Sequence, residues 1–259
     1  MNAVPESGRL DRGDGHQLAW VRTPGTTPGV MFLGGFQSDM TGTKALALEA
    51  HCRAAGRAFL RFDYYGHGAS SGRFEDGTIG RWRADALAAF DALTAGPQLL
   101  VGSSMGGWLA TLLALDRAQR VAGLLTIAAA ADFVIDLLPA RLSPDQQQQL
   151  ARDGRIELPS MYSDTPYPIC ARLIEEGRDH RLLHAPVPYH GPVRLLHGSA
   201  DADVPWQTSL RLLERLDSHD ARLVLVKDAD HRLSDPTALA LLCATLDELL
   251  DAAVRHAGD

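Results

Sequence analysis

The chain has 259 residues, 46% hydrophobic and 22% charged, which suits one large domain with a substantial buried core. Its net charge of −7, with no basic block, argues against a nucleic-acid or anionic-membrane partner, since both need clustered Lys and Arg, and leaves a small molecule as the expected partner. Cys52, Cys170 and Cys243 are far apart, without C-x-x-C spacing or the even count of a disulfide framework, so a reducing compartment is expected.

Along the chain, short apolar runs alternate with longer amphipathic stretches, the pattern of an α/β fold with a mainly parallel sheet and helices on both faces. Residues 29–33 predict a strand, 43–55 a helix, 57–62 a strand and 79–93 a helix. A strand at 98–101 leads through Gly102 to Gly106 into the helix-prone 108–113, followed by a strand at 121–128. From 132 to 190 the rhythm breaks. Seven prolines mix there with apolar residues, and because a structureless loop of that length is improbable inside a compact domain, short helices forming a cap are expected. Within it, Gln146 to Gln149 read as a solvated helix face. Strands at 192–196 and 221–226 and helices at 205–216 and 236–254 close the chain. The expected organisation is a core of 1–131 and 191–259 with a cap (lid) insertion at 132–190.

Gly102-Ser103-Ser104-Met105-Gly106 is a G-x-S-x-G pattern between a strand and a helix, the setting of a nucleophile elbow. A sharp strand-to-helix turn crowds the backbone, so the flanking positions must be small while the central oxygen is pushed outward. Centring the motif on Ser103 would demand glycine where Val101 and Met105 stand; centring it on Ser104 puts Gly102 and Gly106 in place. The competing reading is a glycine-rich turn with an idle serine, and the strand and helix on either side argue against it. A serine hydroxyl needs a histidine base, and that histidine needs an acid to orient it. His231 follows the last predicted strand, and Asp201 and Asp203 follow the strand before it. His67 and His197 each sit beside a glycine at a turn, where a satisfied structural histidine is the commoner reading. Asp201, Asp203, Asp228, Asp230 and His231 lack zinc spacing or an EF-hand loop, so no catalytic metal is expected.

With Arg61-Phe62-Asp63-Tyr64-Tyr65-Gly66-His67-Gly68-Ala69-Ser70 added to the elbow, the chain resembles the α/β-hydrolase fold serine hydrolases over residues 30–250. Gly42-Thr43-Lys44-Ala45-Leu46-Ala47, Arg194-Leu195-Leu196-His197-Gly198 and Asp230-His231-Arg232 bring it closer to a branch that cleaves palmitoyl-protein thioesters and acyl glucuronides. The resemblance implies the order serine, acid, histidine, and its pattern H-G-x-x-D-x-x-V-P selects Asp201, leaving Asp203 as a cap for the helix at 205. The oxyanion hole would use the N–H of Met105, at a helix start, and that of Phe36, which follows the place of the family's His-Gly pair. Gly34 stands where that His would be, so Gln37 is the alternative donor. The implied enzyme needs no cofactor and acts on a small ester or thioester, or an acylated protein. Phe133, Leu137, Leu138, Met161 and Tyr162 would form its acyl pocket, unless they only seal the cap onto the core.

Two other functions stay open: acyl transfer or perhydrolysis by the same triad, and a non-catalytic ligand receptor on the same fold. Epoxide hydrolases and dehalogenases fit poorly, since they carry aspartate in the place of Ser104. The branch is mitochondrial, whereas MNAVPESGRLDRGDGHQLAW lacks transit-peptide character and no run reaches membrane-spanning length. A cytoplasmic protein without a membrane span is therefore expected.

Overall fold

The computed structural model describes residues 4–159 and 166–256, so Met161 and Tyr162 lie outside the described residues. The chain opens with β1 (Glu6–Asp11), β2 (Gln17–Thr23) and β3 (Thr26–Leu33), followed by α1 (Thr43–Ala54), β4 (Arg57–Phe62) and α2 (Ile79–Leu93). It continues through β5 (Gln98–Ser103), α3 (Met105–Asp116) and β6 (Val121–Ile127). Between β6 and the next long strand come α4 (Phe133–Asp136), α5 (Leu138–Arg141), α6 (Pro144–Asp153), β7 (Arg155–Leu158), β8 (Tyr167–Cys170) and α7 (Ala171–Gly177). The last elements are β9 (Val193–Gly198), α8 (Gln207–Arg215), β10 (Ala221–Val226) and α9 (Pro236–His256).

Eight strands form one sheet in the order β1-β2-β4-β3-β5-β6-β9-β10. Pairing is parallel from β4 to β10, while β1–β2 and β2–β4 are antiparallel. Alternate side chains of a strand point to opposite faces, and β3 uses both for burial: Val30 and Phe32 pack with α1 and α9, Met31 and Leu33 with α2 and α3. β1 and β2 did not emerge from the sequence. β1, Glu-Ser-Gly-Arg-Leu-Asp, is a polar edge strand exposed or half-exposed throughout, so it carries no apolar run to read.

Among the described residues the insertion holds four α-helices, a short 3-10 helix at Arg178–His180 and a two-stranded antiparallel sheet, β7–β8, the sheet being an addition to the expected helices. α6 begins in a capping box, with the Ser143 hydroxyl accepting the Gln146 N–H and the Gln146 side chain accepting the Ser143 N–H, and stops at Gly154 with φ 72°. Gln147, Gln148 and Gln149 face solvent on it. Val134, Leu138, Ile156, Ile169 and Leu173 are buried in the same apolar cluster as α2 and α3, so the insertion is packed onto that face. Its two ends are joined by Asp132, whose buried carboxylate accepts the N–H groups of Leu182 (2.8 Å) and Leu183 (2.9 Å).

Candidate active site

Ser104 stands at the turn from β5 into α3 with φ 56° and ψ −120°, a backbone state rarely held by a non-glycine residue. The turn is held on both sides: Ser104 N–H donates to Ile127 O (2.8 Å), while Ser104 O accepts from Gly107 (2.9 Å) and Ala130 (3.0 Å). A Cβ on Gly102 would come within 2.2 Å of Gly106 O, and one on Gly106 within 2.1 Å of Leu33 O. Both flanking glycines are thus sterically required.

The loop after β10 brings His231 to this turn. Its Nε2 lies 3.0 Å from Ser104 Oγ and its Nδ1 lies 2.7 Å from Asp201 Oδ2, so the tautomer with the proton on Nδ1 leaves Nε2 to accept the serine proton. Asp230 Oδ1 accepts the N–H groups of Arg232 (3.0 Å) and Leu233 (3.1 Å), which folds the chain around His231. Asp201 has a fully buried side chain. Its Oδ1 accepts the N–H groups of Asp203 and Val204, each at 2.8 Å, and its Oδ2 is shared between His231 and His197. Burial alone would push the carboxyl up, but hydrogen bonds from His197 and His231, the electrostatic attraction of the His231 ring and the Val204 N–H outweigh it and hold it well below the ordinary carboxylate range. Asp201, Asp203 and His231 have ligand atoms within 4.8 Å of one another, yet Asp201 already meets four donors, which suits a triad acid better than an ion ligand.

The expected cap role of Asp203 is corrected: α8 begins at Gln207, and its N-cap is Trp206 without a side-chain cap bond. Asp203 instead serves Asp201 through its backbone N–H, because the Asp201 carboxylate folds the loop back on itself before the helix starts. Neither rival histidine meets Ser104. His197 is buried beside Asp201, with Nε2 at 3.0 Å from Asp201 Oδ2. His67 is also buried, with Nδ1 donating to Tyr65 O (3.1 Å) and Nε2 accepting the Gln37 N–H (3.2 Å), and burial pushes its pKa down to about 4.

That last bond bears on the oxyanion donors. Gln37 has spent its N–H on His67, whereas neither the Phe36 nor the Met105 N–H meets a backbone acceptor among the described residues. The Phe36 loop lies directly against the elbow, since a Cβ on Gly35 would sit 3.3 Å from Ser104 Cβ. Asp63 braces the far side of the same loop by accepting the Met40 N–H (2.7 Å) as well as that of Ala69 (2.8 Å). The segment 61–70 therefore works as a brace for the loop that carries Phe36. The Phe36 ring is held edge-on by Phe74, Trp82, Phe133 and Tyr167.

Ser104 and His231 open into a cavity of about 630 Å³. Phe133, Leu137 and Leu138 line it, together with Phe36, Leu158, Tyr167 and Ile169, which sequence reasoning did not single out for this role except Phe36 as a backbone donor. Leu158 belongs to β7, whose alternating pattern was the available signal, while Tyr167 and Ile169 belong to β8, whose Tyr-Pro-Ile-Cys run carries no such alternation. On the polar side Lys44 Nζ donates to Arg232 O (2.5 Å), tying α1 to the His231 loop, and burial pushes the Lys44 pKa down to about 8.

Residues 30–242 match the Alpha/beta hydrolase family. The chain belongs to that family. It is 43% identical over 243 residues, 93% of this chain and 82% of the relative, to the palmitoyl-protein thioesterase ABHD10, mitochondrial, of Mus musculus. The solved structure of alpha/beta hydrolase domain-containing protein 10 from mouse superposes with a TM-score of 0.87 at 41% identity, covering 95% of this chain and 98% of that one. A structure from Agrobacterium vitis S4, described as a hydrolase, gives 0.90 at 37% identity over 96% of this chain and all of that one. Family and relatives together make the chain a hydrolase of the ester- and thioester-cleaving type. The mouse relative is named mitochondrial, a different compartment from the cytoplasm expected above. Among the described residues no helix is long and apolar enough to cross a membrane.

Proposed function

We propose that the chain cleaves acyl thioesters and carboxylic esters through an acyl-enzyme on Ser104, with His231 as base and then acid and Asp201 as its partner. The observation that carries this reading is the unbroken hydrogen-bond line from Ser104 Oγ through His231 to Asp201 Oδ2. Ser104 Oγ attacks the acyl carbon while its proton passes to His231 Nε2, and Asp201 stabilises the imidazolium that results. The negative charge on the acyl oxygen is met by the N–H groups of Met105 and Phe36, fixed before the reaction begins. His231 then returns the proton to the departing thiolate or alkoxide. Water repeats the sequence on the acyl-enzyme and frees the acid.

Every group in this scheme is supplied by the chain, so the reaction asks for no cofactor. The insertion 132–190 acts as a cap, with the apolar side of the cavity holding the acyl chain. A long saturated chain such as palmitoyl suits that lining, in keeping with the names of the relatives. Assays with palmitoyl-thioester and p-nitrophenyl esters, beside fluorophosphonate labelling, test the reading: wild type should turn over and label, Ser104→Ala should do neither. Labelling elsewhere, or turnover that survives Ser104→Ala, would overturn it. The compartment reading, cytoplasm, is tested by fractionation of the source cells, where enrichment with mitochondria would reject it.

A further inference from the structure

The acid of the site has a second imidazole against it that the reaction as written does not use. His197, at the end of β9, is completely buried. Its Nε2 lies between two acceptors, Asp201 Oδ2 at 3.0 Å and Val204 O at 2.9 Å, and its Nδ1 lies 2.7 Å from Ser209 Oγ on α8. A ring nitrogen facing two acceptors must carry the proton. In the neutral ring, with that proton on Nε2, Nδ1 accepts from the Ser209 hydroxyl.

We propose that His197 is a positioning residue that holds the Asp201 carboxylate in the plane His231 requires, with Ser209 selecting the tautomer that lets it do so. The proposal rests on the triad reading above. Two backbone N–H groups hold Oδ1, but among the described residues Oδ2, the oxygen that meets His231, has no backbone donor. His197 supplies the only other hydrogen bond to that oxygen among the described residues. Without it the carboxylate turns about its Oδ1 edge, His231 loses its fixed orientation, and the serine proton has a poorly aimed acceptor. The same ring ties Asp201 to Val204 O, so the acid, its loop and the start of α8 move as one unit.

A displacement of about 1 Å in a catalytic group costs on the order of a hundred-fold in rate, well short of the ~10⁴-fold that accompanies loss of the triad acid. His197→Phe keeps a ring of similar shape but has no donor, and it is expected to lower kcat by about ten- to a hundred-fold with KM little changed. His197→Gln can place an amide N–H where Nε2 stood and is expected to recover most of kcat. Proton NMR supplies a readout that mere packing would not move: the strongly downfield resonance of the His231 Nδ1 proton should shift or broaden in His197→Phe and return in His197→Gln. Wild-type kcat and an unmoved resonance in a folded His197→Phe would overturn the proposal. If that variant does not fold, Ser209→Ala decides, with about a ten-fold fall in kcat expected and wild-type kcat overturning it. Turnover surviving in Ser104→Ala would instead remove the triad reading itself, so the two failures are told apart.

Discussion

Ser104 illustrates how little freedom the central residue has: its φ of 56° is tolerated because Ile127, Gly107 and Ala130 all hold its backbone. Ser104→Ala should therefore fold normally and lose about 10⁴-fold or more in kcat, while Ser103→Ala stays close to wild type; equal losses in steady-state assays would contradict the register. Asp201→Asn should lower kcat by about 10⁴-fold, and Asp203→Asn by far less, because Asp203 serves the site through its backbone N–H. A dead Asp203→Asn beside an active Asp201→Asn would reverse the assignment. His67 adds a pH effect. Its pKa is pushed down to about 4 in the folded protein from an ordinary value of 6.5. Below about pH 6.5 the unfolded chain takes up a proton that folded His67 refuses, so its contribution is intact above pH 6.5 and falls away towards pH 4. The loss is on the order of 3 kcal/mol at 1.36 kcal/mol per unit. Urea unfolding between pH 7 and 4 should thus show a shallower decline in His67→Gln than in wild type, and parallel curves would reject this account.

At the level of elements, the site is made of loops anchored by single carboxylates. Asp63 closes the loop between β3 and α1 onto the segment after β4, and a Cβ on Gly68, where φ is 46°, would lie 2.2 Å from Asp63 Oδ2. Asp132 does the same for the insertion, joining the entry to α4 with the chain beyond α7 through two N–H groups. Removing that carboxylate strands two buried donors at about 1–3 kcal/mol each. Asp132→Ala is expected to destabilise the protein by about 3 kcal/mol in urea unfolding and to raise KM for long acyl substrates more than for acetyl; a change below about 1 kcal/mol would show the clasp to be dispensable. The α2, β4 and β10 segments were readable from sequence with their observed bounds because apolar period and flanking turn residues are local signals. The polar edge strand β1 was not, since pairing with β2 rather than its own pattern makes it a strand.

For the molecule as a whole, the decisive feature is the cavity between the sheet's loop end and the insertion. Each buried methylene is worth about 0.8 kcal/mol, close to four-fold in binding, so kcat/KM should climb along a p-nitrophenyl ester series from acetyl upward until the apolar side is full. Leu138→Trp, which fills part of that side, should cap the gain at a shorter chain; a wild-type preference for acetyl would leave a short-chain esterase. The sequence by itself determined the α/β layout and the elbow on Ser104, because strand period, turn sterics and motif spacing act over a few residues, while the choice of His231 and of Asp201 over Asp203 leaned on the order and pattern that the family resemblance implies. What the tertiary structure decided lies far apart in the chain. Ser104 and His231 are separated by 127 positions and Asp201 and His231 by 30, and their distances follow from the register of β5, β9 and β10 in one sheet. The same holds for the Gln37 N–H engaged by His67, for Leu158, Tyr167 and Ile169 reaching the cavity, and for His197 meeting Asp201. A hydrogen bond is made within a few tenths of an ångström, and only packing of the whole chain sets positions that finely.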